Sequence, residues 1–293
     1  MGFQIIKIKN RCKLETQLNY LVCRSEKDIK VLLDDISVLI IENQQVCITS
    51  ALISELINHK VRVVFCDEKH NPQSELVPQH GVHNTYERQN LQMGWKQSTK
   101  DLIWASIIKQ KIHNQGLLTK YMGDSFTHDR ISGFESEIVE GDATNREGLA
   151  AKAYFASLFG SSFDRRNKCK EENMYLNYGY SMILSERNRE VSCAGYLDTW
   201  GIHHIGPDNP FNLGCDLMEP FRPFVDRLVA TNGIEKNHYK SQLIDHLNSE
   251  VLCDGKVTIM ANAIHNFASS VFSALNAKNP SLILKVTFLD EQL

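Results

Sequence analysis

No two of the eight cysteines fall within a few residues of one another, no apolar run is long enough to cross a membrane, and neither sign of charge dominates. Cys12, Cys23, Cys47, Cys66, Cys169, Cys193, Cys215 and Cys253 therefore offer no CxxC zinc knuckle and no redox pair. Cysteines inside apolar runs, as Cys66 is after Val63-Val64-Phe65, are more often small buried hydrophobes than bridges. A disulfide framework belongs to shorter, secreted chains, so the cytoplasm is the expected compartment. No basic stretch followed by an apolar core opens the chain, and no run approaches the roughly 20 residues of a membrane span, so no membrane partner is expected. Lysine and arginine number 32 against 35 aspartates and glutamates, so a nucleic-acid surface would need local clustering of basic residues. The absence of a glycine-rich phosphate loop counts against a small-molecule phosphohydrolase. Without an internal repeat or low-complexity tract, neither a solenoid nor a disordered tail explains the chain.

What is present suits two domains, since 293 residues with 42% hydrophobic content can bury one sizeable core or two smaller ones. Up to Cys66 the apolar residues fall in short β-branched runs: Phe3–Ile8, Leu18–Val22, Ile36–Ile41 and Val61–Phe65. One helix interrupts them, with Leu52, Ile53, Leu56 and Ile57 on its apolar face and Thr49 and Ser50 as capping residues. A polar stretch from Asp67 to Asn84, carrying Pro72, Pro78 and Gly81, has no periodicity and reads as the linker. Beyond Tyr86 the pattern is helical: a long segment from Ser98 striped by Ile103, Trp104, Ile107, Ile108 and Ile112, then Thr144–Phe159, Asn173–Ala194, Asn212–Ala230, Lys236–Leu252 and Val257–Leu275. The expected class is α+β: a small N-terminal β-sandwich-like domain (1–70), a linker (71–85) and a larger, all or nearly all α domain (86–293) holding the catalytic site.

The segment from Gly195 to Pro223 carries the chemistry. Helix-breaking stretches bracket His203-His204, and the next helix presents Asp216 and Glu219 three residues apart, hence on one face. Carboxylates with one imidazole suit Mg²⁺ or Mn²⁺ better than a thiolate site would. Such a metal can stabilise charge on a phosphoryl oxygen and activate a hydroxyl, which points to phosphoryl transfer or hydrolysis.

Gly201-Ile202-His203-His204, Asn209-Pro210-Phe211-Asn212-Leu213 and Asp216-Leu217-Met218-Glu219-Pro220-Phe221-Arg222-Pro223 together resemble the CRISPR-associated integrases of the Cas-one family. Those proteins insert new spacers into the CRISPR array, and the likeness is greatest to members that accompany single-protein RNA-guided effectors (type II). Asn177-Tyr178-Gly179-Tyr180 and Glu147-Gly148, opening a helix that runs through Tyr154-Phe155, are similar in the same way, so the resemblance covers nearly the whole chain. It implies that Glu147, His204 and Glu219 hold the catalytic Mg²⁺ or Mn²⁺. Asp216 would support them or act through water, and His203 is the alternative if the register is off by one. Many relatives have aspartate where Glu219 stands. The resemblance also implies a homodimer joined through the small domain, two of which grip a Cas-two dimer, with other adaptation proteins and the effector as further partners. The implied reaction is attack of a prespacer DNA 3′-hydroxyl on a phosphodiester of the CRISPR repeat.

Each residue has a plainer reading. Thr144-Asn145-Arg146-Glu147 has the form of a capping box, in which Glu147 would reach back to the Thr144 amide. Adjacent loop histidines are often simply exposed. Asp216 and Glu219 could be a solvated helix face or complement the positive helix N-terminus near Asn212. Pro220 and Pro223 predict a kink beside Glu219 that orients the acid or merely bends around the core. Arg222 pairs with Glu219 or meets a DNA phosphate. Arg165, Arg166, Lys168 and Lys170 form the densest basic cluster, ordinary surface or a phosphate contact. Packing is the expected role of Tyr178, Tyr180 and the Trp104 stripe. The rival functions are a metal-dependent nuclease using water as nucleophile and a non-catalytic DNA-binding subunit.

Overall fold

Short β-branched runs separated by turn residues form the first part of the chain in the computed structural model, which describes residues 4–68, 72–76, 84–167, 169–231 and 233–289. The chain divides into two compact units, Met1–Gln79 and His80–Leu293. The first holds strands β1 (Gln4–Ile8), β2 (Lys13–Gln17), β3 (Tyr20–Arg24), β4 (Ile29–Leu32), β5 (Ile36–Ile41) and β6 (Cys47–Ile48), helix α1 (Ser50–Asn58), and strands β7 (Arg62–Cys66) and β8 (Pro72–Glu75). One sheet has the order β1-β5-β7-β8, parallel except for β8; the other has the order β4-β3-β2-β6, antiparallel except for β6. Leu14 and Leu21 of one sheet meet Ile36, Leu39 and Val63 of the other, together with Leu52 and Leu56 of α1, in a shared core. Thr49 caps α1 by accepting from the Leu52 amide at 3.3 Å.

Strands β1, β3, β5 and β7 lie in the runs that the sequence marks, with Phe3 outside the described residues. The others escaped notice because they are short or polar. In β2 only Leu14 is fully buried among lysine, glutamate and glutamine. Strand β8 lies in the stretch read as linker; it is an edge strand, where proline is tolerated, and Glu75 pairs with Arg62 at 3.4 Å. Pro78 and Gly81 lie outside the described residues.

The second unit contains α2 (Thr85–Met93), α3 (Gln97–Tyr121), α4 (Ser125–Ser136), α5 (Arg146–Phe159), α6 (Glu171–Cys193), α7 (Asn212–Met218), α8 (Arg222–Ala230), α9 (Tyr239–Asp245), β9 (Glu250–Cys253), β10 (Lys256–Ile259), α10 (Met260–Ala277) and β11 (Val286–Thr287). Among the described residues no helix is long and apolar enough to cross a membrane. Helices α3 and α6 are buried around their circumference, and their buried positions include Lys111, Asn114, Glu186, Arg187 and Glu190 as well as Ile107, Ile108 and Ile183. Polar groups enclosed this way must find partners, so they mark where the unit is most constrained.

The expected helix from Asn212 to Ala230 is broken by a 3₁₀ turn, Glu219–Phe221, between α7 and α8. Pro220 and Pro223 each fall at the start of a new helical segment, where a missing amide donor leaves no bond unmade. Asn114 of α3 fastens the turn by donating to the Pro220 carbonyl at 3.1 Å and to the Val286 carbonyl at 3.0 Å. The helices expected at Lys236–Leu252 and Val257–Leu275 need correction. Helix α9 is only seven residues long, and β9 and β10 form a hairpin that β11 extends into an antiparallel three-stranded sheet. Val251 and Cys253 are buried in alternation, a period of two rather than 3.6, and Asp254-Gly255 at positive φ makes the two-residue turn.

Gly179 of α6 sits where α8 and α9 come closest: a Cβ there would stand 2.5 Å from Val225 Cγ1 and 3.0 Å from Leu243 Cδ2. Overpacking of this kind costs about 1–3 kcal/mol. Gly179→Ala should therefore lower Tm by several degrees in a circular-dichroism melt, at roughly 2–4 °C per kcal/mol for a unit of this size. An unchanged Tm would show that the helices have room to part.

Candidate active site

The loop after α6 is organised by one carboxylate. Asp216, fully buried on α7, accepts the amides of Ile202 (2.5 Å), His203 (3.0 Å) and His204 (3.1 Å), and its Oδ1 lies 2.6 Å from His204 Nδ1. A carboxylate at Nδ1 selects the tautomer with the proton there, which leaves Nε2 as the acceptor or ligand atom. The same bond raises the His204 pKa above the ordinary imidazole value, against the opposing effect of burial. No residue but glycine fits at 201, because a Cβ would lie 2.2 Å from the His204 carbonyl and 2.7 Å from Asp216 Oδ2. Further bonds tie the loop down. Asn212 donates to the Thr199 and Gly206 carbonyls, both at 3.0 Å, and Lys100 donates to the Gly201 carbonyl at 3.1 Å. From α2, Gln92 donates to the Leu197 and Trp200 carbonyls and accepts from the Leu197 amide.

The two histidines differ in surroundings. His203 stacks flat on Trp104 of α3, ring centres 4.3 Å apart, while His204 meets the same indole edge-on at 5.8 Å. Trp104 is thus core, as its stripe implies, and also the surface on which both rings rest.

Glu147 and Glu219 converge on a group that the sequence reading passed over. Lys111 Nζ lies 2.6 Å from Glu147 Oε1 and 2.5 Å from Glu219 Oε2, and Arg222 Nη2 lies 2.9 Å from Glu219 Oε1. Burial works against the charge on Lys111, but Glu219 and Glu147 overcome it and raise its pKa. Burial likewise opposes ionisation of Glu219. Arg222 and Lys111, with His204 beyond them, reverse that and hold its carboxyl below the usual range. Lys111 was overlooked because it sits within the apolar pattern of Ile107, Ile108 and Ile112; a single lysine interrupting such a stripe was the available signal.

The capping box that is the plainer reading of Thr144–Glu147 is not how α5 begins. Asn145, in the left-handed region, accepts from the Gly148 amide at 3.2 Å, and the Asp142 carboxylate takes the Arg146 and Glu147 amides at 2.8 and 3.0 Å. With the amides served from upstream, the Glu147 side chain is released to Lys111.

Behind Arg222 stands a second polar layer. Its guanidinium lies over the Tyr180 ring at 4.7 Å, with Arg165 over the same ring at 5.2 Å. Tyr180 and Tyr154 both donate their hydroxyls to Asp226, whose burial lifts its pKa to about 6 despite those bonds. Tyr180 therefore does more than pack. In the basic cluster, Arg165 is engaged by Asn173 and Asn177, Arg166 is exposed beside Asp164, Lys170 lies over Phe163, and Lys168 lies outside the described residues.

Among the described residues no three histidine, cysteine, aspartate or glutamate side chains gather closely enough to form a ready metal cage, and the Lys111 ammonium lies within ion-pair distance of both glutamates. The donor set nonetheless suits a hard divalent cation: two carboxylates and an imidazole whose Nε2 is left open. Glu219 Oε2 is buried and met by Lys111 but by no well-directed hydrogen bond, so it has coordinating capacity to spare.

Residues 6–261 match the family model described as CRISPR associated protein Cas1. The chain belongs to the Cas1 family. It is 32% identical over 253 residues to a CRISPR-associated endonuclease Cas1 of Neisseria meningitidis serogroup C, a match covering 86% of this chain and 83% of that protein. It shares its fold with a casposase bound to integration product, at TM-score 0.74 and 18% identity over 95% of this chain and 92% of that one. A Cas6-RT-Cas1–Cas2 complex gives TM-score 0.72 and 17% identity; the match covers 96% of this chain and 36% of that longer one. In this Cas1 fold the stretch Gly201–Arg222 carries His204, Asp216, Glu219 and Arg222, and Lys111 of α3 ties Glu219 to Glu147 of α5.

The imidazole bond to Asp216 has a pH consequence. Because the folded His204 pKa is raised, the stability that its charge contributes is full below the unfolded imidazole's pKa and is lost as pH rises through the folded value. In an NMR titration His204 should lose its proton at higher pH than an ordinary histidine, and Asp216→Asn should bring that midpoint down. A midpoint insensitive to Asp216→Asn would contradict the assigned bond.

Proposed function

We propose that this Cas1-family protein is a metal-dependent DNA strand transferase of CRISPR adaptation. Glu147, His204 and Glu219 would hold Mg²⁺ or Mn²⁺, and the observation that carries this reading is the convergence of two carboxylates on one cation position, with the His204 ring fixed through Nδ1 by Asp216 so that Nε2 is left for a ligand. When bound, the metal supplies charge stabilisation at the scissile phosphate and a more acidic nucleophile. Asp216 fixes the direction of His204 and carries no further duty, since its oxygens already take three amides and the ring. His203, stacked on Trp104, serves as the wall that keeps His204 in place. Arg222 keeps Glu219 ionised, and Arg166, with Arg165 behind it, contacts the DNA backbone.

In the reaction the 3′-oxygen of the incoming DNA bonds to phosphorus in the repeat while the phosphorus bond to the departing 3′-oxygen breaks. The attacking hydroxyl gives up its proton and the departing oxygen takes one, so phosphodiester count is conserved. Holding the groups in line and neutralising charge would supply most of the acceleration. The casposase bound to integration product supports this reading over the water-using nuclease, and the Cas1–Cas2 complex supports a Cas2 dimer as partner. The proposal extends to a homodimer joined through the small N-terminal unit, to other adaptation proteins and the effector as partners, and to the cytoplasm as the place of action.

The test is strand transfer of a labelled duplex with 3′-hydroxyl ends into a supercoiled, repeat-bearing plasmid, with Mn²⁺ or Mg²⁺, with and without a Cas2 partner. His204→Ala should reduce joined product by a factor on the order of 100 or more, the loss expected when a group central to charge stabilisation is removed. Cleavage without joining would favour the nuclease, and a variant as active as wild type would overturn the site.

A further inference from the structure

We infer that Lys111 is a built-in counter-ion that occupies the place of the divalent cation and must be displaced for the metal to bind. This rests on the metal reading above and adds to it a residue that competes with the metal rather than ligating it.

The geometry leaves Lys111 little choice of partner. Its side chain leaves α3 between Ile107, Ile108 and Ile112, all fully buried, and only 8% of the residue is exposed. An ammonium in such a place needs anionic partners, and among the described residues Glu147 and Glu219 lie within ion-pair distance of it. The next charge nearby is another cation, Arg222, which already holds the other oxygen of Glu219. The two carboxylates thus face two cations, and the pocket is neutral before any metal arrives.

A dication set between the same oxygens would add two positive charges to a balanced site, at the spot where the ammonium stands. Two cations cannot share that spot, so the ammonium must withdraw from at least one glutamate. Its withdrawal costs more than a surface ion pair would, because breaking a buried pair leaves a buried charge uncompensated. The expected result is a free protein that binds metal weakly and a metal-free site that stays folded and closed. A lysine with a merely structural role would be indifferent to the metal, or would help to hold the glutamates in shape for it.

The measurement is Mn²⁺ binding followed by electron paramagnetic resonance at fixed pH, without DNA, on the full chain. It would be made for wild type, Lys111→Gln, Lys111→Arg and Glu219→Gln, with a melting curve of each, with and without Mn²⁺. One like charge at a few ångströms moves a charge equilibrium by about tenfold or more, so Lys111→Gln should bind Mn²⁺ at least about tenfold more tightly than wild type. Without metal that variant should melt at lower temperature than wild type, and Mn²⁺ should raise its Tm by more than it raises that of wild type. Lys111→Arg, which keeps the charge, should bind Mn²⁺ no more tightly than wild type. Should Lys111→Gln fail to fold without metal, its recovery by Mn²⁺ supports the inference and failure to recover overturns it. Equal or weaker binding by Lys111→Gln overturns it, provided that Glu219→Gln abolishes binding; if Glu219→Gln binds as wild type does, the metal site itself is wrongly placed and both readings fall.

Discussion

Glu219 is enclosed in the helical core and stays ionised beside two cations, Lys111 and Arg222, while the half-buried Glu147 shares the Lys111 ammonium. That set of charges, with Lys111 and Glu219 buried at its centre, joins three elements far apart in sequence: α3, the start of α5, and the turn between α7 and α8. Replacing a buried ion pair by apolar residues can be neutral, whereas removing one member is strongly destabilising. The set is therefore a constraint on the unit rather than a source of its stability, and its persistence in the core is best explained by what the carboxylates do. The neighbouring structure is arranged to serve it. Asn114 grips the proline-broken turn that carries Glu219, and Asp142 with Asn145 relieves Glu147 of capping duty.

A second constraint acts on the histidine loop. Asp216 accepts three amides and meets the His204 ring, so the loop between α6 and α7 is tied to α7 although it has no regular structure. Gly201 makes room for that arrangement, and Trp104 fixes both rings from below. The Asp226, Tyr154 and Tyr180 group does the corresponding work behind Arg222, so that the guanidinium facing Glu219 is itself stacked on a fixed ring. Both layers pre-position side chains before a substrate arrives, which is what a reaction driven by positioning and charge requires.

Much of this was legible in the amino-acid sequence, for uneven reasons. Strands such as Ile36–Ile41 declare themselves because β-branched residues fill the run, whereas Lys13–Gln17 does not, because one leucine among polar residues makes no pattern. Asp254-Gly255, in the gap between the two helices expected there, is a strong hairpin signal that went unused, and the alternate burial of Val251 and Cys253 shows the strand it belongs to. At the site, the spacing of Asp216 and Glu219 and the family likeness of the histidine run pointed to a stretch that the structure draws together around Asp216. Which acid binds backbone and which faces cations was not readable, because it depends on where α3 passes. Lys111 was hidden for the same reason: a lysine among isoleucines reads as a solvated edge until a partner helix brings two glutamates to it. The match to the Cas1 family runs over most of the chain, and the charges around Glu219 give a physical reason for one of the stretches that carry the likeness.

The central claim is that Glu147, His204 and Glu219 form one divalent-cation site with Lys111 in its path. Its most direct measurement is the anomalous scattering of manganese in crystals of the protein soaked in Mn²⁺. The account predicts a single strong peak bounded by Glu147, Glu219 and His204 Nε2, with the Lys111 ammonium moved off at least one glutamate. Manganese bound elsewhere, or the Lys111 pairs intact in manganese-saturated crystals, would contradict it.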